Sequence, residues 1–290
     1  MRDLIQIVVA TDLSEQAKWP IVRGALLAGR HGGQLHLVHA IPQFSLKDLS
    51  ESYRPYGIVV ANRPHWVDAA RAQMHALATT ASGRFGIAIE EHAKFGSAVP
   101  EIESITRKLP ADLLVVGTHG RGFPRDLLLG STVSALMDRT VCPLLISKTE
   151  SDDPYRSVLV GIDFGSSCRN ALEFASFLAP DAVVAALYAV EKDVDGIFHA
   201  SRSSHENDPD ALRGAQRELD NFVDEAAPQH TVERLADWGN AAQALLTHAR
   251  SSDADLIVVG KHRSNWKAIS FGDISKRVVK DARCDVLVVP

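Results

Sequence analysis

The sequence predicts an α/β chain built from two repeated, doubly wound parallel-sheet domains. Three observations lead there. The 290 residues are about twice a usual domain length of roughly 150. Three short motifs recur in the same order in each half: IQIVVATD (5–12) with SVLVGID (157–163), ADLLVVGTH (111–119) with ADLIVVGKH (254–262), and VCPLLIS (141–147) with RCDVLVV (283–289). These motifs are nearly continuous Val, Ile and Leu runs, as strands covered on both faces require, and helical patterns alternate with them. The domains are taken as 1–149 and 155–290, joined at the polar stretch SKTESDDPYR (147–156).

In the first half, apolar runs place strands near 4–11, 35–41, 87–94, 112–117 and 142–148. Helices are expected near 14–30, 63–82, 98–108 and 131–139. Asp12 and Ser14 flank the start of the first helix, and Glu15 puts an acid in its first turn. In the second half, strands are expected near 157–162, 182–190, 231–236, 255–260 and 284–289, with helices near 167–178, 209–226, 240–250 and 273–281. Alternation with right-handed crossovers gives an open sheet, whose ligands sit outside the carboxyl ends of the strands. Residues 42–61 and 191–208 are long connections on that side, the length typical of functional lids. Tyr53, Arg54 and Tyr56 give the first of them groups able to stack on or pair with a ligand.

Composition narrows the function classes. A hydrophobic content of 46% supports two cores, and a net charge of −5, with 31 basic and 36 acidic residues, opposes a nucleic-acid role. No apolar run reaches a membrane span, and the first residues, MRDLIQIVVATD, do not read as a secretion signal. The expectation is a cytoplasmic protein without nucleic-acid or membrane partners. The three cysteines make no CxxC pair. Cys142 and Cys284 occupy matching positions and read as small buried hydrophobes. Cys168 begins a helix, where a thiol pKa can fall. The twelve histidines lack zinc-type spacing, and His36 and His39 point to opposite strand faces, so they read as scattered surface residues and no metal site is expected. His119 and His262 are repeat-equivalent, as a shared turn hydrogen bond would require.

The segment VVGTHGRGFPRDLLLGST (115–132) is the most informative. Gly117, Gly120 and Gly130 are spaced G-x2-G-x9-G, and Ser131 follows at the expected start of a helix. Glycine here permits positive φ and close backbone approach, and the helix opening offers N–H groups to phosphate. Together with ATDLSEQA and the CPLLI strand, this spacing resembles the universal stress protein family, over both halves. The resemblance implies a Rossmann-like, adenine nucleotide alpha hydrolase-like fold, five strands per domain in order 3-2-1-4-5.

It further implies an adenine nucleotide in the first domain: ATP, AMP or ADP, with or without Mg2+. Ala10, Thr11 and Asp12 fall at the adenine and ribose end, and Ala40 stands where the family often has Val against adenine. Val116, Gly117, His119 and Gly120 line the ribose and first phosphates, and Gly130, Ser131, Thr132 and Val133 take the phosphate chain. Arg121 and Arg125 lie in the loop between. No catalytic residue is assigned. The second half departs from the pattern. Arg263 replaces the middle glycine, eight residues precede Gly272, and Asp273 stands where the hydroxyl residue belongs, while Asp163 and Gly260 remain. The second domain is therefore expected to bind no nucleotide, or to bind another small molecule or a protein. Family members commonly pair through their last strands, which implies an intramolecular pseudo-dimer and leaves a homodimer open. A regulator or sensor, a slow ATPase or self-phosphorylating enzyme, and a nucleotide-free scaffold are the three functional readings.

Overall fold

In the computed structural model the described residues are 6–41, 63–118, 129–190, 209–227, 229–261 and 271–290. They form two compact units, 1–152 and 153–290. In the first unit, strands β1 (Gln6–Ala10), β2 (Gln34–Ile41), β3 (Ile89–Phe95), β4 (Leu113–Gly117) and β5 (Leu144–Ser147) alternate with helices α1 (Lys18–His31), α2 (Arg63–Phe85), α3 (Ala98–Lys108) and α4 (Ser131–Arg139). All strand pairs are parallel, in the order β3-β2-β1-β4-β5. The chain moves outward from β1 through β2 to β3, then crosses back to β4. That reversal opens a crevice beyond the carboxyl ends of β1 and β4.

The second unit repeats the plan. Strands β6 (Ser157–Ile162), β7 (Val183–Val190), β8 (Val232–Trp238), β9 (Leu256–Gly260) and β10 (Asp285–Val289) alternate with α5 (Ser166–Leu178), α6 (Pro209–Ala226), α7 (Ala241–Ser251) and α8 (Phe271–Asp281). Its parallel order is β8-β7-β6-β9-β10. Both units therefore carry the five-stranded 3-2-1-4-5 arrangement that the resemblance implies.

The cores follow from the apolar runs. Ile7, Val8 and Val9 of β1 and Leu113, Leu114 and Val115 of β4 are fully buried, as central parallel strands must be. Helix α1 buries Ile21, Gly24, Ala25 and Ala28, the i, i+3, i+4, i+7 stripe of an amphipathic helix. Gly24 sits where a Cβ would meet the Val9 side chain at 2.4 Å, so glycine lets the helix lie close to the sheet. Gly32 ends α1 in the left-handed conformation, φ 64°, with Arg30 and His31 in the last turn facing the negative helix end. In the second unit Asn240 caps α7, accepting the Gln243 N–H at 3.2 Å.

Two local expectations need correction. The start of the first helix is a short 3-10 turn, Glu15–Ala17, before α1. Ser14 does not cap it with its side chain; Asp12 instead accepts the Ser14 N–H and hydroxyl at Oδ1 (3.0 and 2.7 Å), an Asx-type turn. The joining segment is not wholly a polar linker either. Tyr155 is buried and donates its hydroxyl to Asp285 of β10 at 2.7 Å.

Candidate functional site

The first unit assembles most of the sequence-predicted residues at one sheet edge. Ala10 closes β1, paired with Val38 of β2, and the register continues to Thr11, whose N–H donates to the Val38 carbonyl at 2.9 Å. The Thr11 hydroxyl accepts the Leu13 N–H at 3.0 Å, and His39 Nδ1 lies 2.9 Å from the Thr11 carbonyl. These bonds fix the turn that presents Asp12. Its Oδ1 is occupied by Ser14, whereas its Oδ2 is buried and has no hydrogen-bond partner among the described residues. A buried, unpaired carboxylate oxygen is costly unless something else satisfies it.

Beside this turn, Val116 and Gly117 end β4 in register with Ile146 and Ser147 of β5. Ala40 lies near the end of β2, on the same side of the sheet. Gly130 precedes α4 without a side-chain cap, and a Cβ there would stand 3.1 Å from the Thr118 carbonyl oxygen. The first-turn N–H groups of Ser131, Thr132 and Val133 have no carbonyl to reach within the helix and lie at its positive end. The Val133 side chain packs into the core, so only its backbone faces outward chemistry. His119, Gly120, Arg121 and Arg125, and residues 42–61, lie outside the described residues, as do 191–208, His262 and Arg263.

One correction concerns backbone geometry. Gly130 has φ −57°, and Gly117 is absent from the positive-φ glycines, so what these positions supply is close approach and not left-handed backbone. The positive φ falls instead on Leu13 (61°) and its repeat partner Phe164 (59°), immediately after the two aspartates. Backbone of this kind in a non-glycine residue is uncommon, and its recurrence in both units marks a shared turn.

The second unit shows the same edge as a cavity of about 330 Å³. Its lining includes Gly161, Asp163, Ala189, Val259, Gly260, Ile274 and Ser275. By repeat these match Ala10, Asp12, Ala40, Val116, Gly117, Thr132 and Val133. The lining positions thus recur in both halves, but their chemistry differs. Gly165 replaces Ser14, and its N–H takes Asp163 Oδ1 at 2.8 Å. Phe164 packs on Tyr188, ring centroids 4.5 Å apart, and edge-on to Phe222 at 5.5 Å. A Cβ at Gly260 would lie 3.0 Å from backbone atoms of Ser167 and Cys168, so this glycine is explained by helix packing. At Gly117 the nearest such atom among the described residues is a Pro20 side-chain carbon at 3.6 Å, and packing by those residues makes no equivalent demand.

Cys168 also lines the second cavity and corrects the sequence expectation for its thiol. Burial, with Asp163 alongside, pushes its pKa far up, not down. The sulfur lies 3.3 Å from the Asp163 N and 3.4 Å from the Gly161 carbonyl. Cys168 is expected to resist iodoacetamide in the folded protein at pH 8 and to react after denaturation. Rapid labelling of the native chain at this residue contradicts that.

Away from the crevice, the histidines are not all scattered on the surface. His36 is 2% exposed, and its Nδ1 lies 3.1 Å from His92 Nε2 on the neighbouring strand. Sequence spacing could not reveal this pairing, because residues 36 and 92 meet only through the β2–β3 register.

A family model described as the universal stress protein family matches residues 6–148 and again 154–290. The chain belongs to the universal stress protein family. A universal stress protein of Mycobacterium bovis is 27% identical over 209 residues, covering 70% of this chain and 69% of that protein. Another, from Mycobacterium tuberculosis, is 32% identical over 206 residues, covering 66% and 65%. The crystal structure of a universal stress protein from Archaeoglobus fulgidus shares the fold at TM-score 0.68 and 18% identity, covering 98% of this chain and 97% of its own. The family thus appears here as two tandem domains. Among the described residues, no helix is long and apolar enough to cross a membrane.

Proposed function

We propose that this universal stress protein binds one adenine nucleotide in its first domain and acts in the stress response as a regulator or sensor. The observation that carries the reading is Asp12 Oδ2, buried and without a hydrogen-bond partner among the described residues, just beyond the end of β1. A ribose offers hydroxyl donors of the kind this oxygen lacks. The open first turn of α4, with the hydroxyls of Ser131 and Thr132, offers donors to the phosphates. Ala10, Thr11, Ala40, Val116 and Gly117 give the base and sugar an apolar, closely approachable wall. ATP, ADP and AMP all fit this chemistry, and Mg2+ would share the phosphate charge. His119, Gly120 and Arg121 complete the proposed set.

The second domain, by the same reading, takes a different small molecule or a protein. Its aspartate turn lacks the serine hydroxyl, and its aromatic cluster of Phe164, Tyr188 and Phe222 gives the neighbourhood an apolar character. Calorimetric titration of ATP into the full chain tests the proposal. One site per chain with slow or no phosphate release is expected. Two equal sites, or none, defeats it, and rapid phosphate release moves the reading to an ATPase.

A further inference from the structure

We propose that His36, Glu90 and His92 form a binding site for a divalent transition metal, Zn2+ first among them, on the outer strands of the first sheet. His36 and Glu90 are direct register partners across β2 and β3, and His92 follows Glu90 by two, so all three side chains share one face. One ligand atom from each residue lies within 4.8 Å of the others. His36 Nδ1 is 3.1 Å from His92 Nε2 and 3.4 Å from Glu90 Oε2, and His92 Nε2 is 3.5 Å from Glu90 Oε1. A tetrahedral ion with ligand bonds of about 2.0–2.1 Å sets neighbouring donors roughly 3.3 Å apart. The two imidazole nitrogens already stand near that spacing, and Glu90 approaches each of them with one of its two carboxylate oxygens.

The surroundings suit a metal as well. His36 Nε2 meets the Gln6 side-chain carbonyl on β1. With Nε2–H donated there, Nδ1 keeps its lone pair directed at the cluster, the outer-shell device that orients metal-binding histidines. The His36 side chain is 2% exposed and the His92 side chain 13%, whereas that of Glu90 is 53% exposed, so a rigid pair of nitrogens faces a carboxylate open to solvent. Two histidines and one carboxylate leave a fourth position for water, the ligand set of many catalytic zinc sites.

The repeat supplies a control within the molecule. The second unit builds the same strands with Ser157, Ala185, Glu233 and Leu235 at the positions of Gln6, His36, Glu90 and His92. The fold itself therefore does not require the histidines. The site also stands apart from the proposed nucleotide crevice: His36 is the third residue of β2, and the crevice lies beyond the opposite end of that strand.

Full-length protein stripped with chelator is titrated with Zn2+ by calorimetry, and with Co2+ by visible absorption. One Zn2+ per chain and the strong bands of four-coordinate Co2+ are expected. Loss of an outer-shell partner alone costs about 10–100-fold in affinity, so the ligand substitution His92→Ala is expected to cost at least ~100-fold. Glu90→Gln, at a half-exposed position that leaves the core untouched, should weaken binding by at least ~10-fold. Circular dichroism on the same variants checks folding, and the Glu90→Gln result alone decides if His92→Ala misfolds. No saturation by Zn2+ up to roughly 1 mM, or wild-type affinity in Glu90→Gln, overturns the proposal.

Discussion

Replacing Gly130 with valine is expected to weaken ATP binding by about 10–100-fold, with little effect on the thermal stability of the chain. Even the first added carbon would stand 3.1 Å from the Thr118 carbonyl, tighter than ordinary contact, and the branched methyls would crowd the opening of α4. The N–H groups of Ser131, Thr132 and Val133 could then no longer be approached closely. A hydrogen bond to a charged group contributes about 1.5–3 kcal/mol, and each 1.4 kcal/mol is tenfold in affinity, which sets the expected range. Asp12→Ala should act at the other end of the ligand by a comparable factor, since it removes the buried Oδ2. Gly272→Val, the repeat counterpart in the second domain, should leave ATP affinity unchanged. Calorimetry on the three variants checks this, and equal losses in Gly130→Val and Gly272→Val contradict it.

The second large effect concerns stability. Asp285 is completely buried in β10, and Tyr155, itself buried, donates to it at 2.7 Å across 130 residues of sequence. Tyr155→Phe keeps the ring packing but deprives the buried carboxyl of this donor. Leaving such a group under-satisfied costs about 1–3 kcal/mol, more if it is charged. A lower midpoint in chemical denaturation is expected, and an unchanged midpoint contradicts the bond's importance. The same contact explains why the segment before β6 is fixed to the second unit and does not behave as a polar connector.

These two cases show where the sequence was legible. The strands could be read because buried parallel strands leave uninterrupted apolar runs, and ADLLVVG and ADLIVVG repeat almost letter for letter. The candidate site residues Asp12, Gly117, Gly130 and Ser131 could be singled out because they sit at fixed offsets from strand ends, a local pattern. Tyr155 lay hidden in a charged stretch, and its partner Asp285 looked like an ordinary polar residue entering a strand. Their bond depends on tertiary placement, which no local window contains. His36 and His92 were missed for the same reason: register, not spacing, brings them together. The role first given to glycine shows a subtler limit. Near the candidate site, positive φ falls on Leu13 and Phe164 and not on Gly117 or Gly130, because the aspartate turn dictates the backbone there. Cys168 erred through a rule about helix starts, where burial outweighed the helix dipole.

The most direct test of the central claim is hydrogen exchange on the full chain with and without saturating ATP. Amides at Thr11–Leu13 and at Ser131–Ser134 are predicted to gain protection, while those at Ile162–Phe164 and Ile274–Val278 stay unchanged. Protection confined to the second set, or none at either, contradicts a nucleotide site built on Asp12 and the opening of α4.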